Sequence, residues 1–212
     1  MTKFYFVRHG QTETNLARRF NGGRTDTSLT PSGRAGAMAV GQFFETTGFA
    51  GIYASPMPRA QTTAKLIVAQ SKVAQPAIIT EEDLREVDLG QWDGRPLAKF
   101  QDDPQIDNYY HNLLAFDYKR IGAESFEHAL TRGRSVITRI YDQHPDGKAL
   151  VVAHSLLGML LLSTYLGADL NNARDKMAMP PNNSISEIDT DDGEQFTCGT
   201  LWGFVPSDTS SK

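Results

Sequence analysis

The chain has 212 residues, 40% of them hydrophobic and 22% charged, the balance of a folded globular protein and far from a disordered or fibrous one. Its formal net charge of -4 at pH 7 gives no global field to draw it to nucleic acid or acidic membranes, so any anion site must be built locally. Cys198 is the single cysteine, which excludes an internal disulfide framework and a multi-cysteine metal site; one domain over 1–206 is expected, in a reducing, cytoplasmic setting and without a signal peptide.

Residues 3–7 are rich in aromatic and β-branched side chains and too few for a helix, which predicts a buried strand. The run TPSGRAGAMAVGQFFETTG offers Thr30 as N-cap, Pro31 at the first helical position, apolar residues at Ala37, Val40, Phe43 and Phe44, and Gly48 as a stop. A second strand is expected at 51–54, then a helix over 59–70 with Ala60, Ala64, Ile67 and Val68 on one face, then a third strand at 77–80. Between 82 and 122 the pattern is broken by Gly90, Gly94, Pro96 and Pro104, with Trp92, Phe100, Tyr109, Tyr110 and Phe116 scattered through it. This reads as a helical or irregular insertion, about 87–123, whose aromatic residues are mostly core and in part candidates for a pocket wall.

Regularity returns at Ser125, where Phe126, Leu130, Ile137, Ile140 and Tyr141 trace one face of a long helix ending near His144-Pro145. Residues 148–153 (KALVVA) form a continuous apolar strand that runs into a buried helix at 156–166, too short to span a bilayer. Two late strands are expected at 184–189 and 194–201, joined by the turn sequence Asp191-Asp192-Gly193, with a frayed tail at 207–212. Strands alternating with helices imply an α/β three-layer sandwich: a mainly parallel sheet, one antiparallel edge strand, and the insertion over the active site.

In open α/β sheets ligands bind outside the carboxyl ends of the strands. Arg8-His9-Gly10 follows the first strand, Ser55 and Arg59 the second, Glu86 the third, and His154 the strand ending at Ala153. Two arginines, two histidines and a carboxylic acid are complementary to a phosphoryl group. Arginine forks match phosphate oxygens and stay charged, an unprotonated histidine can attack phosphorus, and an acid can protonate the leaving oxygen.

The segments FVRHGQTETN, SPMPRAQTTA, LREVDLGQWDG and VVAHS, in that order, resemble the four motifs of the histidine phosphatase superfamily, also called the phosphoglycerate mutase-like family. GGRTDTSLTPSGRAGA and GAESF are also similar to family segments. The resemblance implies that His9 is the nucleophile that becomes phosphorylated, that Arg8, Arg59 and His154 bind the phosphoryl group, and that Glu86 is the proton donor. It assigns Asn15 a phosphate contact and counts Gly10, Gln11 and Gly23 among the phosphate-binding positions, with Thr12 in the same loop. Ser155 follows the second histidine where the family usually has glycine, and is counted among the phosphate-binding positions.

The function implied is a metal-independent phosphatase of small phosphate esters, with no cofactor, no metal, and no nucleic-acid or membrane partner; a homodimer is left open. A phosphoglycerate mutase using the same histidine is the alternative, against which Glu86 is followed by Val87-Asp88-Leu89-Gly90-Gln91-Trp92, a segment more similar to the phosphatase branch. A phosphate-binding protein without turnover is a third reading, suggested by Ser155. Asp88 is the fallback acid, and Arg95, Lys99, Lys119 and Arg120 are candidates to meet an acidic substrate.

Overall fold

Strand β1 (Thr2–Arg8) alternates large apolar side chains, Phe4 and Phe6 toward one layer of helices and Tyr5 and Val7 toward the other, as a period of two dictates. The structure, a computed structural model, describes residues 1–207, with the backbone alone at 175 and 176. The tail expected to fray therefore lies, from residue 208 on, outside the described residues. After β1 come a single turn of helix, α1 (Glu13–Leu16), and α2 (Pro31–Phe43), the latter capped by Thr30 with Pro31 in its first turn. Then follow β2 (Gly51–Ala54), α3 (Pro58–Val68) and β3 (Ile78–Thr80).

The insertion holds α4 (Pro104–His111) and short 3-10 turns, and is organised around Trp92, whose ring meets Phe100, Tyr109, Phe116 and Phe20. Helix α5 (Phe126–Gln143) is amphipathic and buries Ala129, Leu130, Val136, Ile137 and Ile140. It leads to β4 (Lys148–Ala153), then to α6 (Ser155–Tyr165), where nine successive residues from Ser155 to Ser163 are all buried. Gly158 lets α6 come that close, since a Cβ there would stand 2.5 Å from the Phe6 ring. The chain closes with α7 (Ala173–Lys176), β5 (Ile185–Thr190) and β6 (Thr197–Cys198).

The sheet has six strands in the order β3-β2-β4-β1-β5-β6, with β1 to β4 mutually parallel. Helices α2 and α3 cover one face through Val40, Ala60, Ala64 and Ile67, and α5 and α6 cover the other. The sequence points to one antiparallel edge strand. In the structure β5 is the antiparallel neighbour of β1, and β6 turns back on β5 at the edge. The expected strand over 194–201 shrinks to two residues because the returning chain bulges: Cys198 pairs with Ile188 and Phe204 with Ile185, so three steps along β5 answer six.

Candidate active site

Parallel pairing aligns Arg8 with Ala153 and Ala54 with Val152, so the residues that leave β1, β4 and β2 emerge together at one sheet edge. His9 and His154 are both buried there, their ring centroids 5.2 Å apart. Asn182 and Asn183, which precede the antiparallel β5, arrive from the opposite direction and bond the His9 and Arg8 carbonyls.

His9 Nδ1 lies 2.8 Å from the carbonyl oxygen of Gly10. A carbonyl only accepts, so Nδ1 carries the proton and donates it. Burial, then the Arg59 and Arg8 charges, push the His9 pKa well below its ordinary 6.5. The ring is therefore neutral at pH 7 with a lone pair on Nε2. Gly10 holds this turn in place: its N–H donates to Thr63 Oγ1 at 3.0 Å, and a Cβ on it would stand 2.5 Å from the Gly33 carbonyl of α2.

His154 caps the start of α6, and its Nε2 bonds Ser55 Oγ at 2.7 Å. Burial, followed by the charges of Arg59 and the neighbouring groups, also lowers its pKa well below 6.5. Its Nδ1 is buried and has no protein partner. Arg8 donates from Nη1 to the Pro180 carbonyl at 2.7 Å and keeps a buried Nε without a partner. Burial lowers the Arg8 pKa to about 10, which leaves the guanidinium charged at neutral pH.

Arg59 lies in the first turn of α3, an unfavourable place for a cation. The 21–26 loop compensates: Arg59 donates to Asp26 Oδ1 at 2.8 Å, to the Thr25 carbonyl at 2.6 Å and to the Gly22 carbonyl at 3.0 Å. Its Nε is the donor left without a partner. The side chain is buried beside the two histidines, where its charge acts on both, and the open cavity is walled by other groups.

Glu86 is held at the N-terminus of α6. Its Oε1 accepts from the Val87 and Leu157 N–H groups at 2.9 Å each, and its Oε2 from the Leu156 N–H at 3.0 Å. Behind it Arg132 of α5 donates to the Asp83 and Arg85 carbonyls, both at 2.6 Å, and to both oxygens of Glu124. One buried arginine thus fixes the segment that carries the acid. Asp88 does something else, pairing with Arg24 at 2.7 Å and accepting from the Gly90 N–H.

Beside these groups opens a cavity of about 230 Å³, with Arg59 and His154 buried behind its wall. Arg8, His9, Asn15, Glu86 and Ser155 line one part of it. Asn15 completes a capping box with Thr12 and accepts from Asn182 Nδ2 at 3.3 Å. Ser155 turns its hydroxyl to the Pro180 carbonyl at 3.3 Å, and α6 begins without disturbance at this residue. Gln11 and Gly23 stand outside the cavity wall: the Gln11 amide oxygen accepts from Thr30 at the cap of α2, and Gly23 packs against the Glu86 segment, donating to the Val87 carbonyl at 2.9 Å.

Residues that sequence reasoning did not single out complete the wall: Arg19, Phe20 and Asn21 from the loop after α1, and Arg174 and Met179 from the connection between α6 and β5. Tyr109 and Tyr110 of α4 join them, in the wall role open to the insertion aromatics. Arg95, Lys99, Lys119 and Arg120 do not line the cavity; Arg120 instead pairs with Asp103 at 3.0 Å. Among the described residues no group of three or more His, Cys, Asp or Glu side chains is arranged to hold a metal ion. Among the same residues no helix is long and apolar enough to cross a membrane.

Comparison with known proteins places this arrangement. The chain is 29% identical over 169 residues to an "Uncharacterized phosphatase PhoE" of Bacillus subtilis, covering 80% of each chain. It is 30% identical over 191 residues to a "Probable phosphoglycerate mutase GpmB" of Cronobacter sakazakii, covering 89% of this chain and 85% of that one. Among solved structures, Bacillus stearothermophilus YhfR superposes with a TM-score of 0.86 at 28% identity, over 97% of this chain and 98% of that one. The family model for branch 1 of the histidine phosphatase superfamily matches residues 4–200, and the chain belongs to that superfamily.

Proposed function

We propose that the protein is a phosphomonoesterase that works through a phosphohistidine on His9, without a metal. The observation that carries this reading is the His9 ring: Nδ1–H is committed to the Gly10 carbonyl, so the free lone pair is on Nε2, beside two arginines and a second histidine. Nε2 attacks phosphorus in line, the P–O ester bond breaks, and Glu86 gives its proton to the departing alkoxide. Arg8, which lines the cavity and has a buried Nε without a protein partner, meets the phosphoryl oxygens, and Arg59 behind it adds charge. The incoming negative charge favours protonation of His154, whose unpartnered Nδ1 then becomes a further donor. Glu86, now ionised, takes a proton from water; the resulting oxygen attacks phosphorus, the P–N bond breaks, and phosphate leaves with His9 neutral again.

Arg8 and Arg59 supply the charge that a metal ion supplies in other phosphatases, so hydrolysis is expected to continue undiminished in excess chelator. His9→Ala is expected to abolish turnover of every ester; undiminished hydrolysis by that variant overturns the reading. The mutase alternative draws on the relative named for that activity. A panel containing 3-phosphoglycerate, with and without 2,3-bisphosphoglycerate, separates the two: released inorganic phosphate supports the phosphatase, and isomerised phosphoglycerate without phosphate release supports the mutase.

A further inference from the structure

The segment SPMPRAQTTA delivers Arg59 to the site, and it also delivers a buried hydroxyl that the phosphoryl chemistry leaves without a task. Ser55 is the first residue after β2, and its backbone is held on both sides. Its N–H donates to the Val152 carbonyl at 3.0 Å, and its carbonyl accepts from Gln61 Nε2 at 2.7 Å. Its Oγ accepts from the Met57 N–H at 3.3 Å and stands 2.7 Å from His154 Nε2. Ser55 and His154 are both wholly buried, so this hydroxyl, and not bulk water, answers the ring nitrogen.

The two histidines of the site are therefore partnered in different ways. His9 faces a carbonyl, which only accepts, so its proton is locked on Nδ1 and its lone pair on Nε2. His154 faces a hydroxyl, which donates to an unprotonated nitrogen and accepts from a protonated one. A carboxylate in that place would hold the ring charged throughout, and a carbonyl would fix one tautomer. With a hydroxyl, Nε2 keeps its bond in either protonation state, and Nδ1 is the nitrogen left without a protein partner. The groups whose charge reaches the ring are Arg59 of α3, Arg8 and His9 at the end of β1, and Arg132 of α5. Glu86, the acid beside them, is bonded to the Leu156 and Leu157 N–H groups of α6. Burial and these cations keep the free ring neutral, and a phosphoryl dianion beside the cations reverses the balance.

We propose that Ser55 is the positioning residue that lets His154 gain a proton when the phosphoryl group arrives and lose it when phosphate leaves. Its Oγ takes the Nε2–H of the imidazolium, which leaves Nδ1–H to the phosphoryl oxygens. The proton comes from solvent with the incoming dianion and returns to solvent with the product. The place of this step in turnover rests on the phosphatase reading, whereas the step itself requires only that a tetrahedral dianion bind. Ser55 does not line the cavity and acts through His154.

Tungstate, a tetrahedral dianion that does not titrate near neutral pH, separates the step from turnover. Nitrogen NMR of isotope-labelled histidine rings, with the His154 signals assigned by their absence from His154→Gln, reads the protonation state directly. In the wild type near neutral pH the His154 ring is expected to be neutral when free and an imidazolium when tungstate is bound. In Ser55→Ala it is expected to stay neutral in the complex, and the tungstate Kd to rise by about 10-fold or more, the worth of a hydrogen bond to a charged group. Ser55→Thr, which keeps the hydroxyl, is expected to restore the imidazolium. The pH profile of kcat on p-nitrophenyl phosphate reports groups in the loaded enzyme. Its alkaline limb is expected to move to lower pH in Ser55→Ala, because the charged ring has lost its acceptor; a merely structural loss is equal at every pH. A neutral His154 in the wild-type tungstate complex, or an imidazolium that persists in Ser55→Ala, overturns the proposal. Should Ser55→Ala not fold, the wild-type spectra and Ser55→Cys, whose thiol is a weak acceptor, carry the same test. A wild type that hydrolyses no ester defeats the phosphatase reading while the tungstate spectra still decide the role of Ser55, and one that binds no tungstate overturns both.

Discussion

Glu86 is the residue whose chemistry and support can be separated by experiment. Its Oε1 accepts two backbone N–H groups and its Oε2 one, so a glutamine there can keep its amide oxygen on the doubly bonded side and retain most of the fixation. Glu86→Gln is expected to lower kcat/KM, which reports the phosphorylation step, by about 100-fold or more on alkyl phosphates, whose leaving oxygen needs a proton, and to lower it much less on p-nitrophenyl phosphate, whose leaving group needs none. Equal losses on both esters contradict the proton-donor role. At this scale the sequence was informative wherever a residue sits at or just past the end of a strand: Arg8 ends β1, and His9 and His154 follow β1 and β4 directly. Arg174 had no such marker. Its segment, Ala173-Arg174-Asp175-Lys176, reads as solvated charge, and only packing against Tyr109 turns it into cavity wall. Gln11 shows the opposite failure, since its neighbours belong to the site while its own amide serves the cap of α2.

Elements, rather than single residues, decide where the acid stands. The 82–92 segment has little regular structure, only short 3-10 turns, and is fixed by contacts from elsewhere: α6 through its N-terminal N–H groups and α5 through Arg132. Arg132 and Glu124 are both largely buried, and breaking such a pair leaves an uncompensated charge. Arg132→Ala is expected to destabilise the protein by about 3 kcal/mol and, in the fraction that remains folded, to lower kcat more than it raises KM. Denaturant unfolding with kinetics on the folded protein measures both; unchanged kcat means that α6 alone holds Glu86. Such tertiary fixation is invisible to periodicity, which is why the insertion could be delimited but not drawn. Helices α2 and α5 were legible because their caps and apolar faces are local, and α6 because its apolar run is continuous. The β6 edge was not, because its bulged pairing depends on how the returning chain meets β5.

For the whole molecule, two neutral histidines buried at the sheet edge couple folding to pH. Both have native pKa values well below 6.5, with burial the first cause, whereas the unfolded chain binds protons there with an ordinary affinity. Between 6.5 and the lowered native values the unfolded state therefore holds more protons, and stability falls as pH falls. Their contribution is complete above 6.5. It is lost on acidification at up to about 1.4 kcal/mol per pH unit for each histidine, about 2.7 for the two. Unfolding free energies measured from pH 7 down to about pH 5 are expected to show this slope in the wild type and a shallower one in the His9→Ala, His154→Ala double variant. Identical slopes contradict the neutral, buried assignment. The same neutrality matters for catalysis, because it keeps a lone pair on Nε2 at neutral pH.

The central claim is that His9 Nε2 carries the phosphoryl group during turnover. Rapid quenching into base, which preserves acid-labile phosphoramidates, followed by digestion and mass analysis during hydrolysis of a good substrate, tests it most directly. The predicted result is phosphate on the peptide containing His9, attached at Nε2, present in the wild type, accumulating in Glu86→Gln on p-nitrophenyl phosphate, and absent from His9→Ala. Steady turnover with no phosphate on His9, or with the label on His154, would contradict the account.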